Sequence, residues 1–343
     1  MTIKSVLAIM LFIIVSAGGA QAQEFEKNIM TGGAKGTYIQ IGRDIAALAN
    51  SCGQTLNVNE SAGSLENLVA VKKRKNTQFG IVQSDVLEYV QTYARNDPEL
   101  KRSLFGVRIM YPLYNEEVQV LTDRSINSLS DLSGLKVAIG KADSGTFLTA
   151  TLVLDILRIK DAERLAIGAA EALPMLLSGE IDAVFYVAGA PTKLFSEADI
   201  DGTRFHLLNI KDPALLATYT PSKIAGETYA FQSEPVNTVA VKAVLMTYDF
   251  EADKNSYHKN SCRAVSDFSS MILTNLEGLK QNGHPKWRDV DLAQLPPGWK
   301  VGACVKTGMA VEYKPTCTEA LAVVAQDEKD EEYLKLLKQR LKK

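Results

Sequence analysis

Three times in its first hundred residues the chain passes from a short strand-like stretch, through a loop of small polar residues, into a helical pattern. Residues 28–30 read as a strand, followed by the loop Thr31-Gly32-Gly33-Ala34-Lys35-Gly36 and an amphipathic helix over 38–50. Residues 56–60 form a second strand ending in Ser61-Ala62-Gly63-Ser64, with a helix over 65–75. Residues 78–83 form a third, bounded by Ser84-Asp85 and a helix over 86–94. This alternation restricts the chain to a layered α/β fold with a mainly parallel sheet. In such sheets ligands sit beyond the carboxyl ends of the strands, and all three loops fall at that edge.

The first loop has three glycines in five positions and feeds a helix that starts near Thr37, a good N-cap type. Unpaired N–H groups and the helix dipole make such a turn suitable for an anion. It is neither of two nucleotide fingerprints. Only Gly33 and Gly36 have usable spacing for G-x-G-x-x-G, and Lys35-Gly36-Thr37 has the wrong order for a P-loop.

Lys4, the apolar run 6–15 and Ala20-Gln21-Ala22 form an export leader, with cleavage expected after Ala22 into the periplasm. The apolar core is too short for a stable span. About 320 residues then remain, more than one core usually supports, so two lobes are expected. Without Lys4 the balance is 37 basic to 40 acidic residues, which gives no reason to expect nucleic acid. Cys52, Cys262, Cys304 and Cys317 suit one or two disulfides in an oxidising compartment, and spacing does not choose among the three connectivities. The histidines His206, His258 and His284 are scattered, so no metal site is expected.

The second half repeats the same logic. Strands are expected over 106–114 and 118–121, and a short helix and a buried strand over 128–140. The loop Lys141-Ala142-Asp143-Ser144-Gly145-Thr146 opens a helix over 146–159. A strand from Ile181 enters the loop Gly189-Ala190-Pro191, and 235–241 is extended and crosses back. Helices are expected over 266–282 and, charged and amphipathic, over 327–343. The expected organisation is a leader (1–22), a first lobe (23–117 and 234–343) and an inserted second lobe (118–233), with hinges near 115–118 and 233–236.

The order of these motifs resembles the TAXI-type solute-binding subunits of tripartite ATP-independent periplasmic (TRAP) transporters. The resemblance rests on Thr31-Gly32-Gly33-x-x-Gly36-Thr37-Tyr38, Ser61-Ala62-Gly63-Ser64-x-Glu66-Asn67 and Gly80-Ile81-Val82-Gln83-Ser84-Asp85. It continues in Ser144-Gly145-Thr146 and in Asp182-Ala183-Val184-Phe185 with Gly189-x-Pro191. It covers about 28–245 and does not reach the segment holding three of the four cysteines. It implies a two-lobed α/β periplasmic-binding-protein fold, type II-like, with two crossing segments and a ligand cleft between the lobes. It also implies capture of a small carboxylate, such as glutamate or 2-oxoglutarate, and delivery to an ion-gradient-driven membrane permease. Members commonly carry a small residue and Gly where this chain has Ala34-Lys35, which puts a charge at the pocket rim.

The expected ligand-binding set is Gly33, Gly36, Thr37, Ser61, Gly63, Ser64, Asn67, Gln83, Ser144, Gly145, Thr146 and Gly189, with Tyr38, Tyr186 and Tyr111 as aromatic walls carrying a polar tip. Ser64 and Thr146 are expected to cap their helices while free N–H groups still face the ligand. Asp85 is read as a cap rather than a ligand contact. Charge-assisted hydrogen bonds contribute roughly 1.5–3 kcal/mol each, and micromolar affinity requires about 8 kcal/mol, so five or six such contacts suffice without an arginine. No nucleophile–base pair, carboxylate pair or metal cluster is tied to the loops, so no catalytic residue and no cofactor is expected. The expected protein is a monomer. A sensor docking on a membrane receptor and a cleft enzyme are the alternatives.

Overall fold

A computed structural model describes residues 25–317; the leader and the helix expected over 327–343 lie outside them. The strand–loop–helix rhythm is realised as β1 (Asn28–Met30), α1 (Thr37–Ser51), β2 (Asn57–Asn59), α2 (Ser64–Lys73), β3 (Thr77–Gln83) and α3 (Ser84–Tyr93). A further helix, α4 (Pro98–Leu104), leads into β4 (Val107–Asp123). Then follow β5 (Lys136–Ala138), α5 (Gly145–Ile156), β6 (Glu163–Leu165), α6 (Ala169–Ser178), β7 (Ala183–Ala188) and α7 (Lys193–Ser196). The chain continues through β8 (Phe205–Leu207), α8 (Pro213–Thr218), β9 (Thr220–Ile224), β10 (Val236–Tyr248), α9 (Ser256–Thr274), α10 (Leu276–Asn282) and α11 (Ala303–Gly308).

All ten strands form one sheet in the order β2-β1-β3-β10-β4-β7-β5-β6, with β8 on β4 and β9 on β10. Its flanks are parallel: β1 with β2 and β3, and β5 with β6 and β7. Its middle is antiparallel, where β10 pairs with β3 and β4, and β4 with β7. The mainly parallel sheet read from the loops therefore describes only the flanks. The two strands expected over 106–121 are one 17-residue strand. The polar triplet Asn115-Glu116-Glu117 looked like a break, yet Glu116 and Glu117 are both buried.

β4 and β10 form the spine shared by both lobes. On β10, Ala240 faces Thr220 of β9, and Ala243 faces Gln83 of β3. On β4, Tyr111 and Pro112 face β10, and Glu117–Thr122 pair with β7. Asn115, Glu116 and Glu117 lie opposite Lys242, Val241 and Ala240, so the second crossing lies inside β10 rather than at 233–236. Between Lys242 and Val244 the register shifts, leaving Leu113 and Tyr114 opposite Ala243 alone. Such a bulge is where a central strand tolerates a proline, here Pro112.

The sheet is covered on both faces, which fits the near-continuous apolar runs of β4 and β10. In the first lobe, one core packs α1 and α9 over the sheet around Phe79, Phe268 and Trp287, and another packs α2 and α3 around Val82, Val86 and Val90. The second lobe has a core around Val120, Val137 and Val153, and one on the opposite face around Leu173, Val184 and Phe195. The connectivity that spacing left open is Cys52–Cys317 and Cys262–Cys304, both bonds packed against the first-lobe core.

Candidate functional site

The loops after β1, β2 and β5 and the carboxyl ends of β3 and β7 converge on one cavity of about 70 Å³ between the lobes. Eleven of the expected residues line it: Gly33, Gly36, Thr37, Tyr38, Gly63, Ser64, Gln83, Ser144, Gly145, Thr146 and Tyr186. Gly32, Ala62, Glu116, Val187 and Ala188 line it too. Ser61, Asn67 and Gly189 are not among its walls. Asn67 is fully buried and donates from Nδ2 to the carbonyls of Thr31 and Ile81, and its Oδ1 accepts from the Ser61 hydroxyl at 2.6 Å. These two side chains tie the first and second loops to β3. The Gly189 carbonyl accepts from the Thr37 hydroxyl at 2.6 Å. Tyr111 is buried elsewhere, with its hydroxyl on Ser269. Lys35 stays at the rim, where its ammonium pairs with Glu197 of the second lobe at 3.3 Å.

The helix ends differ from expectation. α1 is capped by Gly36, not Thr37, and has no side-chain cap. α2 is capped by Gly63, whose φ of 131° favours glycine. Its first-turn N–H groups are not open to a ligand, because Leu65 and Glu66 both donate to the Asp143 carbonyl of the other lobe, at 3.1 and 3.3 Å. Ser64 Oγ is no cap; it accepts from the Gln83 N–H at 3.1 Å. Ser144 caps α5 by accepting from the Phe147 N–H. Thr146 is not a cap either, and accepts from the Val187 N–H. Asp85 lies inside the first turn of α3; it accepts from the Val86 N–H at 2.8 Å and from the Thr149 hydroxyl of α5 at 2.6 Å. The expected cap role of Asp85 is therefore not realised, since α3 is capped by Gln83 without a side-chain bond, and Asp85 instead bridges to the second lobe.

The lobes are shut on each other. A Cβ on Gly145 would meet Gln83 Oε1 at 1.8 Å and Ser64 Oγ at 2.7 Å. A Cβ on Gly36 would meet the Tyr186 hydroxyl at 2.9 Å. The glycines at these two positions are what let the loops approach. Leu148 at the start of α5 packs into the first-lobe core formed by α2 and α3. With room for about two waters, the closed cavity has to part slightly to admit a ligand of amino-acid size.

Glu116 is the wall residue that loop spacing does not show, because it sits inside β4 in a stretch that reads as a strand break. It is 1 % exposed. Its Oε2 accepts from the Tyr38 hydroxyl at 2.8 Å. Burial holds its carboxyl well above the usual range; the Tyr38 bond opposes this, and the Asp85 and Glu117 carboxylates add to it. Burial also raises the phenols of Tyr38, Tyr114 and Tyr186, so they remain protonated donors. The cavity wall is therefore neutral and rich in hydroxyls. Next to it, Glu117 pairs with Lys286: Lys286 Nζ lies 2.6 Å from Glu117 Oε1, both side chains are buried, and Glu117 Oε2 accepts from the Ala190 N–H. Among the described residues there is no group of His, Cys, Asp and Glu that could hold a metal.

Among solved structures the chain is similar to the periplasmic binding protein BugD (11 % identity, 92 % of this chain and 94 % of that one, TM-score 0.48). It is similar to the aliphatic sulphonate binding protein SsuA from Escherichia coli (16 %, 75 % and 75 %, 0.42). It is also similar to a periplasmic substrate-binding protein of an ABC transporter from Coxiella burnetii (14 %, 74 % and 96 %, 0.40). A family model described as the NMT1-like family matches residues 29–258, from β1 into α9 and through every loop of the cavity. The chain belongs to the NMT1-like family.

Proposed function

We propose that this protein is an extracytoplasmic solute-binding protein. It captures a small carboxylate, such as glutamate or 2-oxoglutarate, between its lobes and delivers it as a monomer to an integral membrane TRAP permease. The observation that carries the reading is the cavity itself: three loops and two strand ends from two lobes, joined by a two-strand spine, enclose a neutral, hydroxyl-lined wall with the uncapped first turn of α1 at its edge. An anion gains from such a wall and a cation does not. The motif resemblance from 28 to 245 supports the TRAP partner. Two disulfides support an oxidising compartment, in keeping with a leader cleaved after Ala22 and periplasmic residence. No helix among the described residues is long and apolar enough to cross a membrane. Residues 118–233 act as the moving second lobe, and the bulge beside the crossing supplies the hinge.

A thermal-shift screen of amino acids, dicarboxylates and oxo-acids tests the ligand class. A true ligand at about 100 times Kd adds roughly 2.7 kcal/mol of stability. In this reading the ligand-free lobes open about that hinge in solution and the ligand draws them shut, so small-angle scattering with that ligand should show a smaller radius of gyration than without it. No stabilising carboxylate, or an unchanged radius at saturation, refutes the reading. Co-purification with a permease subunit rather than a signalling receptor tests the partner.

A further inference from the structure

A second, larger hollow lies between the same lobes, further along α3 and α5. It holds about 410 Å³, within the range of roughly 300–1,000 Å³ typical of small-molecule pockets. One wall is α3, with Asp85, Glu88, Tyr89 and Tyr93; the facing wall belongs to the second lobe and carries Tyr219; the floor is β10 at Ala240–Lys242. Thr149 separates this hollow from the first cavity: its hydroxyl donates to Asp85 Oδ2 at 2.6 Å and lies 3.4 Å from Gln83 Oε1.

Its chemistry is the opposite of the first cavity's. Three phenol rings and two carboxylates face one space. The rings of Tyr89 and Tyr93 lie 4.4 Å apart; Tyr89 packs on the first-lobe core, and Tyr93, 55 % exposed, forms an aromatic rim outside it. Neither acid is in an ion pair among the described residues. The basic residue of the walls, Lys242, donates from Nζ to Gln294 Oε1 at 3.3 Å, outside the hollow, with Asp291 and Asp289 attracting it there. Burial raises the Asp85 carboxyl only to about 6, so it is ionised near neutral pH.

We propose that this hollow is a second ligand site, selective for a small organic ammonium ion held over the tyrosine faces and against Asp85 and Glu88. Ring faces and carboxylates both attract such a cation, and a neutral molecule of the same shape gains from neither. Because its walls belong to different lobes and its floor is the strand joining them, an occupant fixes the angle between the lobes.

The test is calorimetric titration of the purified protein with choline and with its neutral isostere 3,3-dimethylbutan-1-ol, alongside tyrosine ring signals in NMR. Choline should bind at least about tenfold more tightly than the alcohol. Glu88→Gln and Tyr93→Ala should each weaken it about tenfold. Both positions are exposed on α3, so thermal stability should be unchanged. Neither residue lines the first cavity, so carboxylate binding by these variants should also be unchanged. Equal binding of the two probes overturns the proposal, as does absence of choline binding at roughly tens of millimolar or wild-type affinity in both variants.

Discussion

A carboxyl group walled in beside tyrosines must either find a cation or give up its charge. Glu117 does the first, through Lys286, and Glu116 the second. The folded state binds the Glu116 proton more tightly than the unfolded chain does. Its contribution is therefore fully present at low pH and is lost as pH rises through the raised value. A bound carboxylate feels the same sign, since a neutral acid can donate to it and an ionised one repels it. Affinity for 2-oxoglutarate should hold at low pH and fall by up to about tenfold per pH unit above the folded value. Glu116→Gln should flatten that profile in calorimetry; a profile that keeps its slope shows that another group titrates. Neither Glu116 nor the Lys286–Glu117 pair was legible in the sequence. Their partners are 169 residues apart for the pair and 78 for Glu116 with Tyr38, distances that no local pattern reports. Thr37 and Ser144 were legible as site residues, but their hydroxyls hold a facing loop and a helix end.

The loops that build the cavity are the best-read elements, because glycine and small polar residues between a strand and a helix leave few alternatives. How those loops meet across the cleft was not readable. The first turn of α2 is satisfied by a carbonyl from the other lobe, and the close approach at Gly145 is set by that shut geometry. Gly145→Ala should therefore leave each lobe folded and hold the lobes apart. Scattering should show none of the compaction on adding ligand that the parent protein shows, and carboxylate affinity should drop at least about tenfold; compaction equal to the parent's would mean the contact yields. The short 3₁₀ turn over Pro285–Asp289 carries the Lys286 ammonium from the first lobe to Glu117 on β4. Lys286→Met should leave a buried charge unpaired and destabilise the fold by about 3–5 kcal/mol in denaturant titration. Adding Glu117→Gln should restore most of that loss. Short elements such as β6, α8 and β9 escaped the sequence reading because three to six residues carry too little periodicity to separate from loop.

For the molecule as a whole, two lobes and a cleft followed from length and from the recurrence of the strand–loop–helix unit. The single sheet did not, since strand order is decided by pairings between β10 and elements more than a hundred residues earlier. Thermal unfolding should accordingly give one calorimetric transition, with calorimetric and van't Hoff enthalpies equal. Two resolved transitions would mean that the spine fails to couple the lobes. The covalent links are uneven, both disulfides lying in the first lobe. The shared spine also means that the second lobe is not an excisable module. Cutting the chain after β4 and before β10 would strip β7 of β4, leaving it only β5, and β9 of β10. The fragment would expose bare, apolar strand edges, the surface on which chains recruit one another into aggregates.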